Sequence, residues 1–402
     1  MTEAIDTTFA TRRAEDMRAV ATVSTAHFIS HFYIMALPPL FAFVKADFGV
    51  SYTELALAIT VFMVVSAVLQ TPAGFLVDRG NPRLILVAGL LCGMAGLVIA
   101  SFSHAYWVFI AMFGLMGVGN TVYHPADYAL LARHVSPERT SQAYSMHTFS
   151  GMLGGAMAPA AMLAMHGLFG WRGAFIGAAA LGLVAAAVLL LLRDGESEQP
   201  AKQRKENTAA DWRLLMSAPM IMNFLFFTLL AFTTFGFMNF SVVALGALYG
   251  TPATTANAAL SGYLVLTALG VLAGGFVAGR TERHGLTAVI GILVATVATL
   301  IIGLFNLNAP LLIAVASLAG FFLGLIMPAR DMIVRSVTPP GAFGKVFGFV
   351  TNGFNIGGII SPLVFGPLMD HDAPQLVFIV IAIGGLLGMA TVVSVPRRSA
   401  AP

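Results

Sequence analysis

The residues best able to do chemistry in this 402-residue chain are ionisable side chains within long apolar segments. Asp127 and Arg330 lie in two such segments. His27 and His31 are four residues apart in a third segment, so they share one face of a helix. Ionisable groups at membrane depth are costly and mark functional sites by default. These side chains therefore predict a polar site inside a largely apolar protein.

The elements that must position these residues are membrane spans. Of the residues, 58% are hydrophobic and only 10% charged, where a soluble protein carries about a quarter charged residues. A spanning helix needs about 20 mostly apolar residues. Twelve segments qualify, at 20–43, 54–77, 84–103, 106–133, 141–167, 171–193, 218–248, 254–279, 285–305, 309–336, 342–369 and 373–395. The sequence thus predicts an all-α membrane protein with twelve transmembrane helices.

The basic residues predict the orientation and the domains. With the N-terminus in the cytoplasm, every Lys and Arg except Lys45, Arg172 and Arg330 falls in a tail, a cytoplasmic loop or the central polar stretch. Cytoplasmic segments carry such an excess, so both termini are expected inside a bacterial-type inner membrane. We predict an N-terminal six-helix bundle at 1–193, a cytoplasmic linker at 194–217 and a C-terminal six-helix bundle at 218–402.

The two halves repeat in sequence. Residues 49–79 align without gaps on 250–280, so that Gly74 matches Gly275 and Arg79 matches Arg280. At a nearby offset the HPAD segment ending at Asp127 aligns with the MPAR segment ending at Arg330, and Gly154-Gly155 aligns with Gly357-Gly358. Together these matches predict two homologous halves with ionisable residues of opposite sign at equivalent positions.

The segment 74–83, GFLVDRGNPR, follows the second predicted span. It resembles the G-x-x-x-D-R-x-G-x-x loop signature of the major facilitator superfamily. With the repeat and the long linker, the resemblance covers essentially the whole chain. It implies two six-helix bundles related by pseudo-two-fold symmetry, a central cavity and alternating access.

The same resemblance implies a cytoplasmic gate. We predict that Gly74 lets a neighbouring helix approach closely and that Asp78 interacts with a helix N-terminus and basic neighbours. The basic partners are Arg79, Arg83 and, in the second half, Arg280. A simple turn with positive-inside anchors is the alternative, and it accounts for Arg79 and Arg83 only.

Within the superfamily, the segments around His27 and Tyr123-His124-Pro125 are similar to the fosmidomycin-resistance branch. Members of that branch have an acid four residues after the helix 1 histidine and an aromatic-His-Pro-Glu segment in helix 4. This chain departs twice, because His31 replaces the first acid and the second acid comes one residue later, at Asp127.

The resemblance places helices 4 and 10 along the cavity, so Asp127 and Arg330 would face one another across the pathway. The planar fork of an arginine suits a carboxylate, phosphate or phosphonate. An ion pair of Arg330 with adjacent Asp331 is the structural alternative. The predicted substrate-binding residues are Arg330, His31, His124, Asn239, Asn352 and Asn355.

Imidazoles titrate near neutral pH, which favours proton coupling by this set. The predicted proton-coupling residues are His27, His31, His124, Asp127 and His147. Counted from the cytoplasmic ends of the helices at 1.5 Å per residue, the side chains that share a depth of about 9–17 Å are His27, His124, Asp127, His147 and Arg330. Metal binding by the imidazoles is the alternative, for which the residue spacing gives no support. The sequence therefore predicts no metal ligands, but transport of a metal ion or metal chelate stays open.

We expect a secondary transporter of a small, anionic organic solute or drug, driven by protons, with its direction undecided. No phosphate-binding Gly loop with Lys-Ser/Thr is found, so no ATP is hydrolysed and no cofactor is expected. The predicted partners are the solute, protons and the lipid bilayer, without nucleic acid, for a monomeric chain. A membrane enzyme or a passive channel is the alternative class, disfavoured because the nucleophile, base and metal groups of an enzyme are not clustered at helical spacing.

Overall fold

The computed structural model describes residues 2–136, 139–191, 213–338 and 343–393, and these ranges form helices joined by short turns. The side chain of Asp78 and most of the predicted linker, at 194–212, lie outside the described residues. The helices are α1 (Thr2–Ile34), a 3-10 turn at Pro38–Leu40, α2 (Phe41–Phe48), α3 (Tyr52–Arg79), α4 (Pro82–Phe102), α5 (Tyr106–Asn120), α6 (Tyr123–His134), α7 (Thr140–Leu190), α8 (Ala218–Tyr249), α9 (Ala253–Ala278), α10 (His284–Leu304), α11 (Ala309–Val337), α12 (Phe343–Asp370) and α13 (Pro374–Val393).

Twelve membrane spans follow from these helices. Among the described residues, 11 helical segments are long and apolar enough to cross a bilayer, and one of them, Ala143–Leu190, is 48 residues long. Within it Gly170 has φ 70° and ψ 176°, which breaks α7 into two helices. This long segment is therefore two spans, and the prediction of twelve transmembrane helices is confirmed.

The break in α7 depends on a backbone conformation that only glycine adopts readily, at φ 70°. We expect Gly170→Ala to lower the free energy of unfolding by about 1–3 kcal/mol, seen as a lower apparent melting temperature in detergent. Gly167→Ala is the matched control, because that glycine is helical and an added Cβ would meet nothing within 4 Å. Equal melting temperatures for the two variants would contradict a strained break at Gly170.

Two predicted spans differ from the structure. The first span, predicted at 20–43, belongs to a helix that begins at Thr2 and ends at Ile34, before Pro38 and Pro39. The fourth span, predicted at 106–133, is interrupted at Thr121 and Val122. Pro125 explains this interruption, because a proline has no N–H for the carbonyl four residues earlier and its ring clashes with that carbonyl.

The chain packs as two compact units, one made of residues 1–48 and 61–203 and the other of residues 49–60 and 204–402. In the first unit an added Cβ at Gly154 of α7 would collide with the carbonyl oxygen of Phe28 in α1. In the second unit a Cβ at Gly357 of α12 would collide with the carbonyl oxygen of Thr228 in α8. Gly154 and Gly357 are the residues that the sequence repeat aligns, so the same contact between helices recurs in both units.

The aligned segments 49–79 and 250–280 also agree in backbone detail. Gly49 and Gly250, just before α3 and α9, both have φ 65°. Gly74 and Gly275 lie near the ends of these two helices, and an added Cβ at either glycine would meet nothing within 4 Å among the described residues. No close helix contact at Gly74 is found among the described residues, and the close approach of a helix there stays a prediction.

Candidate functional site

Five ionisable side chains from three helices meet inside the first unit. The carboxylate of Asp127 lies on α6, with its Oδ2 atom 3.2 Å from Nδ1 of His27 on α1 and 3.6 Å from Nε2 of His147 on α7. The rings of His27 and His147 are stacked with centroids 3.8 Å apart. His31 and His124 complete the group, with ring centroids 4.7 Å and 5.1 Å from that of His27. We call these five residues the histidine cluster.

The centre of the histidine cluster is shielded from solvent. Asp127 and His147 are fully buried and His27 is 3% exposed, whereas His31 is half-buried and His124 exposed. Among the described residues neither carboxylate oxygen of Asp127, neither ring nitrogen of His147, nor Nδ1 of His27 makes a hydrogen bond of acceptable geometry. A buried carboxylate without compensation is costly. The site therefore holds polar atoms that a proton or another cation would stabilise.

Small residues bring α1 and α7 close enough to form the cluster. A Cβ added to Gly151 of α7 would collide with the imidazoles of His27 and His31. One residue earlier, the hydroxyl of Ser150 donates a hydrogen bond to the carbonyl oxygen of Ser24, at 2.8 Å. Close approach of helices at glycine and serine is typical of membrane proteins. The break before α6 places His124 and Asp127 in the first turns of that helix.

Arg330 lies on α11 in the second unit, where it is 13% exposed. Its Nε and Nη2 atoms are 3.0 Å and 2.9 Å from Oδ1 of Asp331, and its Cζ atom is 4.0 Å from the centre of the Phe227 ring. The structure thus forms the Arg330–Asp331 ion pair that the sequence left as an alternative. In the part of the chain that the structure describes, Nη1 has no hydrogen-bond partner, so these residues leave part of the guanidinium fork unengaged.

Equivalent positions of the repeat make the same contacts inside each unit. The contacts of Gly154 with Phe28 and of Gly357 with Thr228 align α1 with α8, which pairs His27 with Phe227. The repeat pairs Asp127 with Arg330. Asp127 contacts His27 in the first unit, and Arg330 lies over Phe227 in the second. One packing arrangement therefore supports an acid beside imidazoles in one half and a cation on an aromatic ring in the other.

The predicted amides lie in the second unit. Asn239 of α8 is buried, and its amide nitrogen has no hydrogen-bond partner among the described residues. On α12, the amide nitrogen of Asn355 donates to the carbonyl oxygen of exposed Asn352, at 3.2 Å. All three amides remain predicted substrate contacts.

The predicted gating residues lie at helix ends. Arg79 is exposed at the last residue of α3, and the backbone N–H of Arg83 donates to Oδ1 of Asn81, which caps α4. The guanidinium of Arg280 lies 3.3 Å from the ring centre of Phe276. These positions suit anchoring of helix ends, while the role of Asp78 stays a prediction.

Sequence reasoning missed residues that shape the two sites. Gly151 is one glycine among many in its segment, although its missing side chain makes room for two imidazoles. Tyr128, whose ring lies 5.5 Å from that of His147, is four residues after His124, and this helical spacing was an available signal. Phe227 carries no such signal, because one phenylalanine among many on an apolar helix is indistinguishable from core.

Comparison with known proteins agrees with this architecture. The sequence profile described as Major Facilitator Superfamily matches residues 23–252 and 224–402. The chain is 22% identical to the fosmidomycin resistance protein of Escherichia coli over 92% of this chain and 91% of that protein. It is 22% identical to a D-galactonate transporter of Escherichia coli, covering 89% and 90%, and 25% identical to a probable sulfoacetate transporter of Cupriavidus necator, covering 87% and 86%.

Solved structures share the fold. A bacterial homologue of the human lysosomal transporter Spinster, in an inward-facing and occupied conformation, superposes with a TM-score of 0.76 at 14% identity, covering 95% of this chain and 98% of that one. The nucleoside transporter NupG also superposes with a TM-score of 0.76, covering 94% and 99%. The chain has twelve spans, a sequence repeat that relates its two halves, and ionisable side chains within the spans. With these matches, they identify the class of protein as a membrane transporter rather than an enzyme. The chain belongs to the Major Facilitator Superfamily and is a multi-pass inner-membrane transporter.

Proposed function

We propose that this chain moves a small organic anion across the inner membrane by alternating access, in exchange for or together with protons. The proposal separates two tasks between the two units. Arg330 of the second unit binds the anionic group of the solute, and the histidine cluster of the first unit carries the proton. Both termini lie in the cytoplasm in this proposal, as the basic residues predict.

The partly engaged guanidinium of Arg330 is the observation that carries the anion assignment. Oδ1 of Asp331 accepts a hydrogen bond from Nε and forms an ion pair with Nη2, and 47% of the Asp331 side chain is exposed. The donors on Nη1 are left for a ligand, and a guanidinium binds carboxylate, phosphate or phosphonate oxygens through paired N–H groups. The names of two relatives, a D-galactonate transporter and a probable sulfoacetate transporter, point to the same class of solute.

A ligand screen on the purified wild-type protein tests this assignment. Carboxylates, sulfonates, phosphonates and matched neutral analogues are compared for their effect on the apparent melting temperature. A ligand that binds only the native state stabilises it by about 2.7 kcal/mol at a hundred times its Kd. We expect stabilisation by at least one anion class and by no neutral analogue. Stabilisation by neutral compounds alone would contradict an anionic substrate.

The histidine cluster supports proton coupling by its composition and burial. Asp127 is fully buried with imidazoles as its nearest ionisable neighbours. Uptake of one proton by this group raises its net charge by one. In this proposal protons reach the buried Asp127 by way of His124, the exposed member of the histidine cluster.

We expect Asp127→Asn to abolish the response of transport to an imposed pH gradient, because the buried acid is lost while the shape of the side chain is kept. Solute counterflow between equal pH values should persist. His166→Ala is the matched control, since His166 packs against Phe43, outside the histidine cluster. The assay is solute movement in proteoliposomes with and without a pH gradient. A full response in the Asp127→Asn variant would reject the acid as part of the coupling site.

The cytoplasmic gate gives a separate prediction. Asp78→Asn is expected to slow transport in proteoliposomes at least tenfold (about 1.4 kcal/mol), because the variant removes the charge predicted to latch the gate. Solute binding by thermal shift should be close to wild type. Full transport by this variant would reject the latch.

A further inference from the structure

We propose that the histidine cluster is a binding site for one divalent transition-metal ion of the Zn²⁺, Ni²⁺ or Co²⁺ class, held by His27, His124, His147 and Asp127. The inference stands apart from the proposed transport of an anion, because it concerns binding within the first unit alone. It rests on the geometry of the donor atoms and, for His27, His147 and Asp127, on their burial and their lack of hydrogen bonds to described residues.

The geometry of three imidazoles is the first argument. One ring nitrogen from each of His27, His124 and His147 can be chosen so that all three lie within 4.8 Å of one another. Nitrogens bound to one zinc ion at about 2.0–2.1 Å are about 3.4 Å apart in a tetrahedral site. The widest separation therefore has to shrink by about 1.4 Å, which rotation of an imidazole supplies. His124 is the exposed member and is the freest to move.

The carboxylate of Asp127 lies beside two of the three imidazoles and would complete the set as a fourth ligand once the ion draws the side chains together. Its Oδ2 atom is 3.2 Å from Nδ1 of His27 and 3.6 Å from Nε2 of His147, separations that two ligands of one ion adopt. The set is then three nitrogens and one oxygen. Imidazole suits zinc, nickel, cobalt and copper, whereas magnesium and calcium require mainly oxygen ligands. The composition of the cluster thus selects a transition metal and excludes the abundant hard cations.

The unsatisfied polar atoms are the second argument. His27 Nδ1, both oxygens of Asp127 and both ring nitrogens of His147 are buried without a hydrogen bond to any described residue. Ordinary metal-ligating histidines have their second nitrogen bonded to another group, so a weaker, exchangeable site is expected here than in a structural zinc centre. An exchangeable site at the depth of a membrane span fits a transported or regulatory ion. A bound ion would occupy the lone pairs that a coupling proton uses.

Metal binding to the full-length protein in detergent tests the inference. After treatment with a chelator, the protein is titrated by calorimetry with Zn²⁺, Ni²⁺, Co²⁺ and Mg²⁺. We expect about one equivalent of a transition metal and no response to Mg²⁺. Asp127→Asn and His124→Gln should each weaken binding at least tenfold, since even second-shell changes cost about 10–100-fold. His166→Ala should bind like the wild type.

X-ray absorption of the wild-type protein loaded with one equivalent of Zn²⁺ keeps the test independent of how well the variants fold. Scattering from two or three imidazoles and an oxygen supports the site. Binding that is unchanged in both cluster variants, a zinc environment of water and carboxylate only, or no stoichiometric binding overturns it. Failure of the anion screen leaves this result untouched, so the two proposals fail separately.

Discussion

Replacement of Arg330 by alanine is expected to abolish binding of the transported anion, and replacement by lysine to weaken it. A hydrogen bond to a charged group contributes about 1.5–3 kcal/mol, so the loss of one such contact costs about ten- to more than a hundredfold in affinity. Lysine keeps the charge but lacks the planar fork and its stacking on the Phe227 ring. The measurement is the Kd of the anion found in the ligand screen.

Arg213→Ala is the control for a general effect of positive charge, because Arg213 is exposed at the start of the described second unit. It should bind the anion as the wild type does. Asp331→Asn gives a further arm, since it removes the negative charge beside Arg330 and should raise anion affinity. Anion binding indifferent to Arg330→Ala would show that the Arg330–Asp331 pair is structural.

Gly151→Ala is expected to disable the histidine cluster while the protein stays folded. The added methyl group would collide with the imidazoles of His27 and His31, which can move only by rotating away from their present contacts. Overpacking of this kind costs about 1–3 kcal/mol, a loss visible in the apparent melting temperature. The response of transport to a pH gradient should be lost, and transition-metal affinity should fall at least tenfold.

Gly155→Ala is the matched control four residues along the same helix. The nearest atoms to an added Cβ there are 3.8 Å and 3.9 Å away, at ordinary contact distance. Alanine is favoured over glycine in a helix by about 0.8–1.0 kcal/mol, so this variant should be as stable as the wild type or more so. If both variants keep full proton-driven transport, the space at Gly151 does not control the cluster.

Much of the fold was accessible from the sequence. The apolar segments predicted the twelve spans, and the repeat predicted that Gly154 and Gly357 play the same part in the two halves. These features are encoded locally, because a membrane span is recognised from about 20 consecutive residues. The helix break at Thr121–Val122, which was not predicted, is also encoded locally, in Pro125.

Local sequence did not determine the partners of the intramembrane charges. Asp127 was predicted near a set of histidines at similar depth, and the structure brings all of them together in one cluster. Arg330, by contrast, was assigned first to a ligand or to Asp127, and the structure engages it with its neighbour Asp331 and with Phe227. Depth follows from counting residues along a helix, but the identity of a partner depends on the rotation of that helix about its axis.

The sequence by itself determined the membrane class, the number of spans, the internal repeat and which ionisable residues lie at membrane depth. Only the tertiary structure decided that His27, Asp127 and His147 come into contact, because about a hundred residues separate His27 from Asp127 in the sequence. Their contact is set by how closely α1 approaches α7 at Gly151 and Gly154. The two glycines of α7 have no side chains, and they face the imidazoles and the backbone of α1. The approach of the two helices therefore depends on both of them and is a property of the packed bundle.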